Sequence, residues 1–373
     1  MVAGTLIHQG NQRVGPVGAQ LAAWRARRGL SVAEVAARCG MASKWIAGLE
    51  SGEEWLDRRG HLTALSSALR LDSVDLTGQP YPPAGPEHAV ARAVAFHLRR
   101  AIVADLPASA MVATVEELAA RTDALDALTD SGDEQGLAEA LPELIRDGDA
   151  LMDAVPIGQR DRVVDLRVGA HVAAAGLLRR LGYRDLAWLV LHRARAGGSE
   201  LGAVLVEEVR LLLDMGLPEH ALTRADADAN LPLLIATAHA VAGRHGAAAR
   251  LLRRARSSAE DAAAAARVTV CQVVVAVECG EVEEAAERAR SVDRSALAPA
   301  DLVSLAVAAA TAEARRGEIG RAAAWLREAE EMAPLRLRLD PFARELLAVL
   351  PSRASNATET AVLEQMAGRA GRG

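Results

Sequence analysis

Residues 21–52 read LAAWRARRGLSVAEVAARCGMASKWIAGLESG, and the punctuation of this stretch decides the architecture around it. Val17, Leu21 and Trp24 fall on one helical face, and Gly29 closes that helix. Ser31, with Glu34 three residues on, has the spacing of a capping box, so a second helix starts there, buries Val35 and ends at Gly40. A third helix over 43–50 follows within a few residues and turns Ile46 and Leu49 inward. Helix, short glycine turn, helix is the helix-turn-helix arrangement. Leu62, Leu65, Ala68 and Leu69 predict a fourth helix, and 74–76 a short fifth.

The rest of the chain sets this unit in contrast. Of 373 residues 51% are hydrophobic but only 2% aromatic, and over a fifth are alanine. Such a chain is too poor in β-branched and aromatic residues for a β-sandwich or barrel, and too rich in Leu and Val for disorder. All but one of its 43 basic residues are Arg, the exception being Lys44. The formal charge of −6 is unevenly spread: residues 1–80 carry +2 and residues 81–373 carry −8. A small basic unit on a larger acidic body points to a polyanionic partner for the first. Cys39, Cys271 and Cys279 have no metal-ligand spacing, and no apolar run has the length of a membrane span or a signal core. A cytoplasmic protein with no cofactor, no metal and no membrane partner is expected. No phosphate-binding loop with Lys, Gly-x-Ser-x-Gly or His-Glu-x-x-His is found, so no enzymatic activity is expected.

The run Leu21-x-x-x-Arg25-x-x-x-Gly29-Leu30-Ser31-x-x-Glu34-Val35-Ala36, continued by Gly40-Met41, Ile46 and Leu49-Glu50-x-Gly52, resembles the phage-repressor (Cro/C1, XRE) type of helix-turn-helix domain. The segment from Trp55 to Tyr81 resembles the actinobacterial branch of these transcription regulators. The resemblance implies a five-helix, lambda-repressor-like fold whose 43–50 helix enters the major groove of double-stranded operator DNA. Ser43, Lys44 and Trp45 are then the base-contacting candidates; Lys can donate to guanine, and Ser bonds either partner. Trp45 reads equally as a half-buried helix residue. Gly48, one turn on, brings no side chain to a base edge. Ser31, Arg58 and Arg59 are the phosphate-contacting candidates. Arg25 and Glu50 fall where the family keeps a structural ion pair.

Residues 80–86, Pro-Tyr-Pro-Pro-Ala-Gly-Pro, read as a stiff linker. Beyond it a signature recurs: Gly, then Ala five residues on, then small or apolar residues four and seven further. It starts at Gly182, Gly216, Gly243, Gly280 and Gly317, with a weaker copy at Gly132. Each Gly is placed to end one helix, and each Ala to let the next helix approach closely. Helix pairs repeating near 34 residues resemble the tetratricopeptide repeat, an α-solenoid with a concave groove. The expected organisation is an all-α chain with a flexible arm over 1–16, the helix-turn-helix domain over 17–78 and the linker over 79–88. A repeat body over 89–351 and a flexible tail over 352–373 complete it.

Groove-facing candidates are Arg179, Arg210, Asn230, Arg267 and Arg315, with Arg180, Asp214, Thr237 and Thr311 beside them. Regulators of this composite type imply a peptide or protein effector in that groove. A homodimer is expected too, and the amphipathic 87–106 segment is a candidate for part of its contact. The rival reading is a protein-interaction scaffold whose helix-turn-helix binds protein.

Overall fold

The computed structural model describes residues 13–103, 114–197, 201–225 and 231–371. Asn230, the remainder of the 87–106 segment beyond 103, and residues 1–12 of the N-terminal arm lie outside them. All regular structure among the described residues is helical.

Five helices make the N-terminal domain: α1 (Pro16–Arg27), α2 (Val32–Cys39), α3 (Ser43–Ser51), α4 (Arg59–Leu69) and α5 (Ser73–Thr77). The Ser31–Glu34 capping box starts α2, and Gly40, in the left-handed region at φ +67°, ends it. Leu21, Val35, Ile46, Leu49, Leu65, Leu69 and Leu76 meet in its core, each at most 1% exposed.

The body is a stack of helix pairs. They are α7 (Val115–Ser131) with α8 (Glu134–Ala154), α9 (Arg160–Leu181) with α10 (Arg184–Gly197), and α11 (Leu201–Asp214) with α12 (Pro218–Ala225). Then come α13 (Pro232–Val241) with α14 (His245–Ser257), α15 (Ala262–Cys279) with α16 (Val282–Ser291), and α17 (Pro299–Arg315) with α18 (Ile319–Met332). Each turn holds a repeat glycine, from Gly132 to Gly317, at positive φ, where a side chain would be strained. The alanines five residues on, Ala187, Ala221, Ala248, Ala285 and Ala322, are all fully buried. The one short interval, 27 residues between Gly216 and Gly243, is accommodated by α12 and α13, of 8 and 10 residues.

The seams show how the parts are joined. The stiff segment after α5 is docked on the body. Tyr81 is buried under the Arg344 guanidinium, and the Gln79 amide donates to the carbonyls of Arg180 and Leu339. The end of the chain is no flexible tail: Asn356 caps α21 (Ala357–Arg369), which buries Leu363, Met366 and Ala367. Both stretches carry the apolar residues that docking needs. α6 (Pro86–Val103) buries Ala91, Val94, Ala95 and Leu98 within this same chain and leaves Phe96 exposed.

α15 is the one described helix long and apolar enough to cross a membrane, with a mean hydropathy of 1.6. Here it is a core helix between α13 and α17, half buried inside the protein.

The N-terminal domain packs on the edge formed by first helices of the later pairs and by α20 (Pro341–Val349). One apolar core, from Val17 through Leu76 to Ala370, runs through both.

Candidate nucleic-acid interface

α3 turns Ile46 and Leu49 into the core, and this leaves Ser43, Lys44 and Ala47 exposed. Lys44 has no hydrogen bond or ion pair to any described residue, so its ammonium is free for a partner in solution. Trp45 points elsewhere: it is half-buried and meets the His61 ring edge-on, centroids 4.8 Å apart. Gly48 is buried, and a Cβ there would lie 2.8 Å from Glu54 Cγ. Its missing side chain is therefore a packing requirement of the 53–54 turn, and the exposed position one turn along is Ala47.

Arg25 and Glu50 form a two-point pair, Nε–Oε1 2.6 Å and Nη2–Oε2 2.7 Å, and Arg25 also donates to Leu30 O. This ties α1 to the end of α3 and to the α1–α2 turn. Ser31 is occupied locally: its hydroxyl accepts from Glu34 N, and its amide and hydroxyl both donate to the Glu34 carboxylate. The Ser31 amide and hydroxyl are thus engaged in that box, at the N-terminus of α2 whose backbone amides were the phosphate candidates.

Arg58 and Arg59 do not face outward with α3. The Arg58 guanidinium lies over the Gly280 turn. The amides of Arg59 and Gly60 donate to Glu278 of α15, and the Arg59 guanidinium stacks on Phe342, 5.0 Å from its centroid. The N-terminus of α4 is thus directed into the body, and these two arginines leave the set of phosphate contacts. Arg27, Arg28 and Arg38 are the exposed cations that remain on α1 and α2 and the turn between them.

The turn from α3 to α4 is held by arginines from the body. Arg315 pairs with Asp57 (2.7 Å) and Glu54 (2.6 Å), donates to Trp55 O, and lies 3.7 Å from the Trp55 centroid. Arg353 stacks on the same ring and donates to the carbonyls of Gly52 and Glu53. Burial raises the Asp57 carboxyl, but its His61 contact and the Arg315 and Arg58 charges outweigh that and hold it below the usual range. Arg315 is therefore a strut to the N-terminal domain, not a groove residue, because the C-terminal end of α17 meets that domain. Nothing in the sequence reading found Arg353, Glu278 or Glu345, although a lone Glu at the end of the apolar α15 is a recognisable sign of a buried, bonded carboxylate.

On the concave side, Arg179 is half-buried and paired with Glu207 (2.5 Å) and Asp214 (2.6 Å). Arg179, Arg210, Asp214, Thr237 and Thr311 line one cavity of about 250 Å³ that reaches Arg59 and Glu278. Arg210, Thr237 and Arg267 line a second of about 270 Å³. No group of three His, Cys, Asp or Glu suited to a metal exists among the described residues.

Residues 16–77 match the helix-turn-helix domain family. No curated protein matches the chain. A solved structure described as Bacillus thuringiensis PlcR in complex with the peptide PapR7 and DNA aligns over 89% of this chain and 99% of its own, at 9% identity and a TM-score of 0.36.

Proposed function

We propose that this chain is a sequence-specific transcription regulator of the Cro/C1 (XRE) type, not an enzyme, acting on operator DNA in the cytoplasm. α3 enters the major groove, and Ser43 and Lys44 meet base edges. The observation that carries this is the exposed Ser43–Lys44–Ala47 face within the matched helix-turn-helix residues 16–77, with Lys44 free of any partner in the described chain. Arg27, Arg28 and Arg38 supply phosphate contacts and hence the salt dependence. The tetratricopeptide-like body senses an effector in its concave face. Two copies pair, because one such domain buries a small interface and twofold sites raise affinity.

The test is a gel-shift titration on a fragment of the protein's own promoter at several salt concentrations. Affinity should fall as salt rises, and Lys44→Ala should weaken specific binding by about 5- to 150-fold, the equivalent of about 1–3 kcal/mol. The Arg58→Ala, Arg59→Ala double variant should leave the salt slope unchanged. Wild-type binding by Lys44→Ala would sink the docking proposed for α3.

A further inference from the structure

A cavity of about 490 Å³ lies between α11, α13, the end of α14 and α15, and it continues into the neighbouring cavity of about 270 Å³. Its floor is apolar. Leu233 and Leu234, at the start of α13, are only half-buried, and Val268 and Val274 of α15 face them. Arg210 and Arg267 line both cavities and both are exposed. Arg210 has one contact with a carboxylate, Glu207 at 3.5 Å, and Arg267 makes no hydrogen bond or ion pair with a described residue. Asp301 is the single acid among the described lining residues. The Thr237 hydroxyl donates to Leu233 O, and the Cys271 thiol to the same carbonyl, while Ser258 and Ser304 add two exposed hydroxyls at the rim.

An apolar trough under two underused guanidinium groups suits a ligand with an apolar chain and one terminal carboxylate. A peptide fits less well. Its backbone brings an amide and a carbonyl with every residue, each costly to desolvate without a partner, and no Asn or Gln is among the described residues that line this trough. An acyl chain carries no such groups.

Building on the reading of the body as a sensor, we infer that this trough binds an unbranched acyl carboxylate, its chain along α13 and α15 and its carboxylate between Arg210 and Arg267. The same two helices hold the N-terminal domain. Glu278, near the end of α15, accepts the Arg59 and Gly60 amides, and the carbonyl of Val241, the last residue of α13, lies 3.1 Å from where a Gly60 Cβ would be. A ligand that wedges or draws together α13 and α15 therefore acts directly on the start of α4.

The test is calorimetric titration of the full chain with sodium decanoate. Decanoate should bind, and octanoate, two methylenes shorter, more weakly by about 15-fold, since each buried methylene is worth roughly fourfold. 1-Decanol, lacking the charge, should bind at least tenfold more weakly than decanoate. Arg210→Ala and Arg267→Ala, both at exposed positions, should each lose about tenfold for decanoate and nothing for decanol. Equal binding of decanol and decanoate overturns the inference. So does tighter binding of an apolar heptapeptide, or no binding of decanoate at all. The titration contains no DNA, so a failure here with an intact promoter shift removes only the acyl ligand. Decanoate binding without a promoter shift removes only the DNA reading.

Discussion

At the scale of single residues, one carboxylate shows how the two parts of the chain are joined. Glu345 of α20 is 1% exposed and accepts the Val17 amide at 2.5 Å, so the body supplies a cap for the first turn of α1. Gly15 makes room for it: a Cβ there would lie 2.0 Å from Glu345 Oε2. Burial pushes the Glu345 carboxyl up to about 7, against the Val17 and Leu56 amides that favour its ionised form. The folded protein thus holds this proton more tightly than the unfolded chain does. Its contribution to stability is complete below the ordinary glutamate value of 4.5 and is lost as pH rises through about 7. Urea denaturation across that window should show wild type losing on the order of 3 kcal/mol relative to Glu345→Gln. Parallel pH profiles for the two proteins would refute this assignment. The Cys271 thiol, pushed up to about 11 by burial, is a packing group rather than a reactive one.

At the scale of elements, the repeat pairs owe their spacing to alanine and their last seal to α21. Ala285 and Ala322 are fully buried where α16 and α18 approach their partners, so Ala285→Leu should cost about 1–3 kcal/mol through overpacking, measured by chemical denaturation. Leu363 of α21 is equally buried, and Leu363→Ala should cost about 2–5 kcal/mol. A flexible C-terminal segment would show no loss on that substitution. α3 is treated differently from the repeat helices. Its inner face is apolar, its outer face polar, and its C-terminal turn is gripped by Arg353 from outside the domain.

At the scale of the molecule, the N-terminal domain does not hang from a tether. Its core is continuous with that of α15 to α18, α20 and α21; Arg315 and Arg353 together grip the Trp55 turn, Glu278 holds the start of α4 and Glu345 the start of α1. Arg315→Ala would leave Asp57, 7% exposed, without its main cation, at a cost on the order of 3–5 kcal/mol. The loss should appear in one cooperative transition reported alike by helix content and by tryptophan fluorescence. Two separated transitions in the wild-type protein would show the domains to be independent.

The sequence by itself determined the helices, their glycine stops and the repeat of pairs. Those rest on local signals: Ser31 with Glu34, Gly40 and Gly52, and the recurrent Gly-to-Ala spacing from Gly182 to Gly317. It also turned Ile46 and Leu49 inward, whereas Ser43 and Lys44 were singled out by the family resemblance. The tertiary structure alone decided which arginines are free. Arg58, Arg59, Arg179 and Arg315 read as available charge along the chain, yet each is turned toward a partner from a distant segment, while Arg210 and Arg267 are left over an apolar trough. Helix formation depends on neighbours three or four residues away, and so can be read locally. The use of a long, flexible guanidinium depends on which carboxylate the packed fold brings within reach, sometimes from more than two hundred residues away.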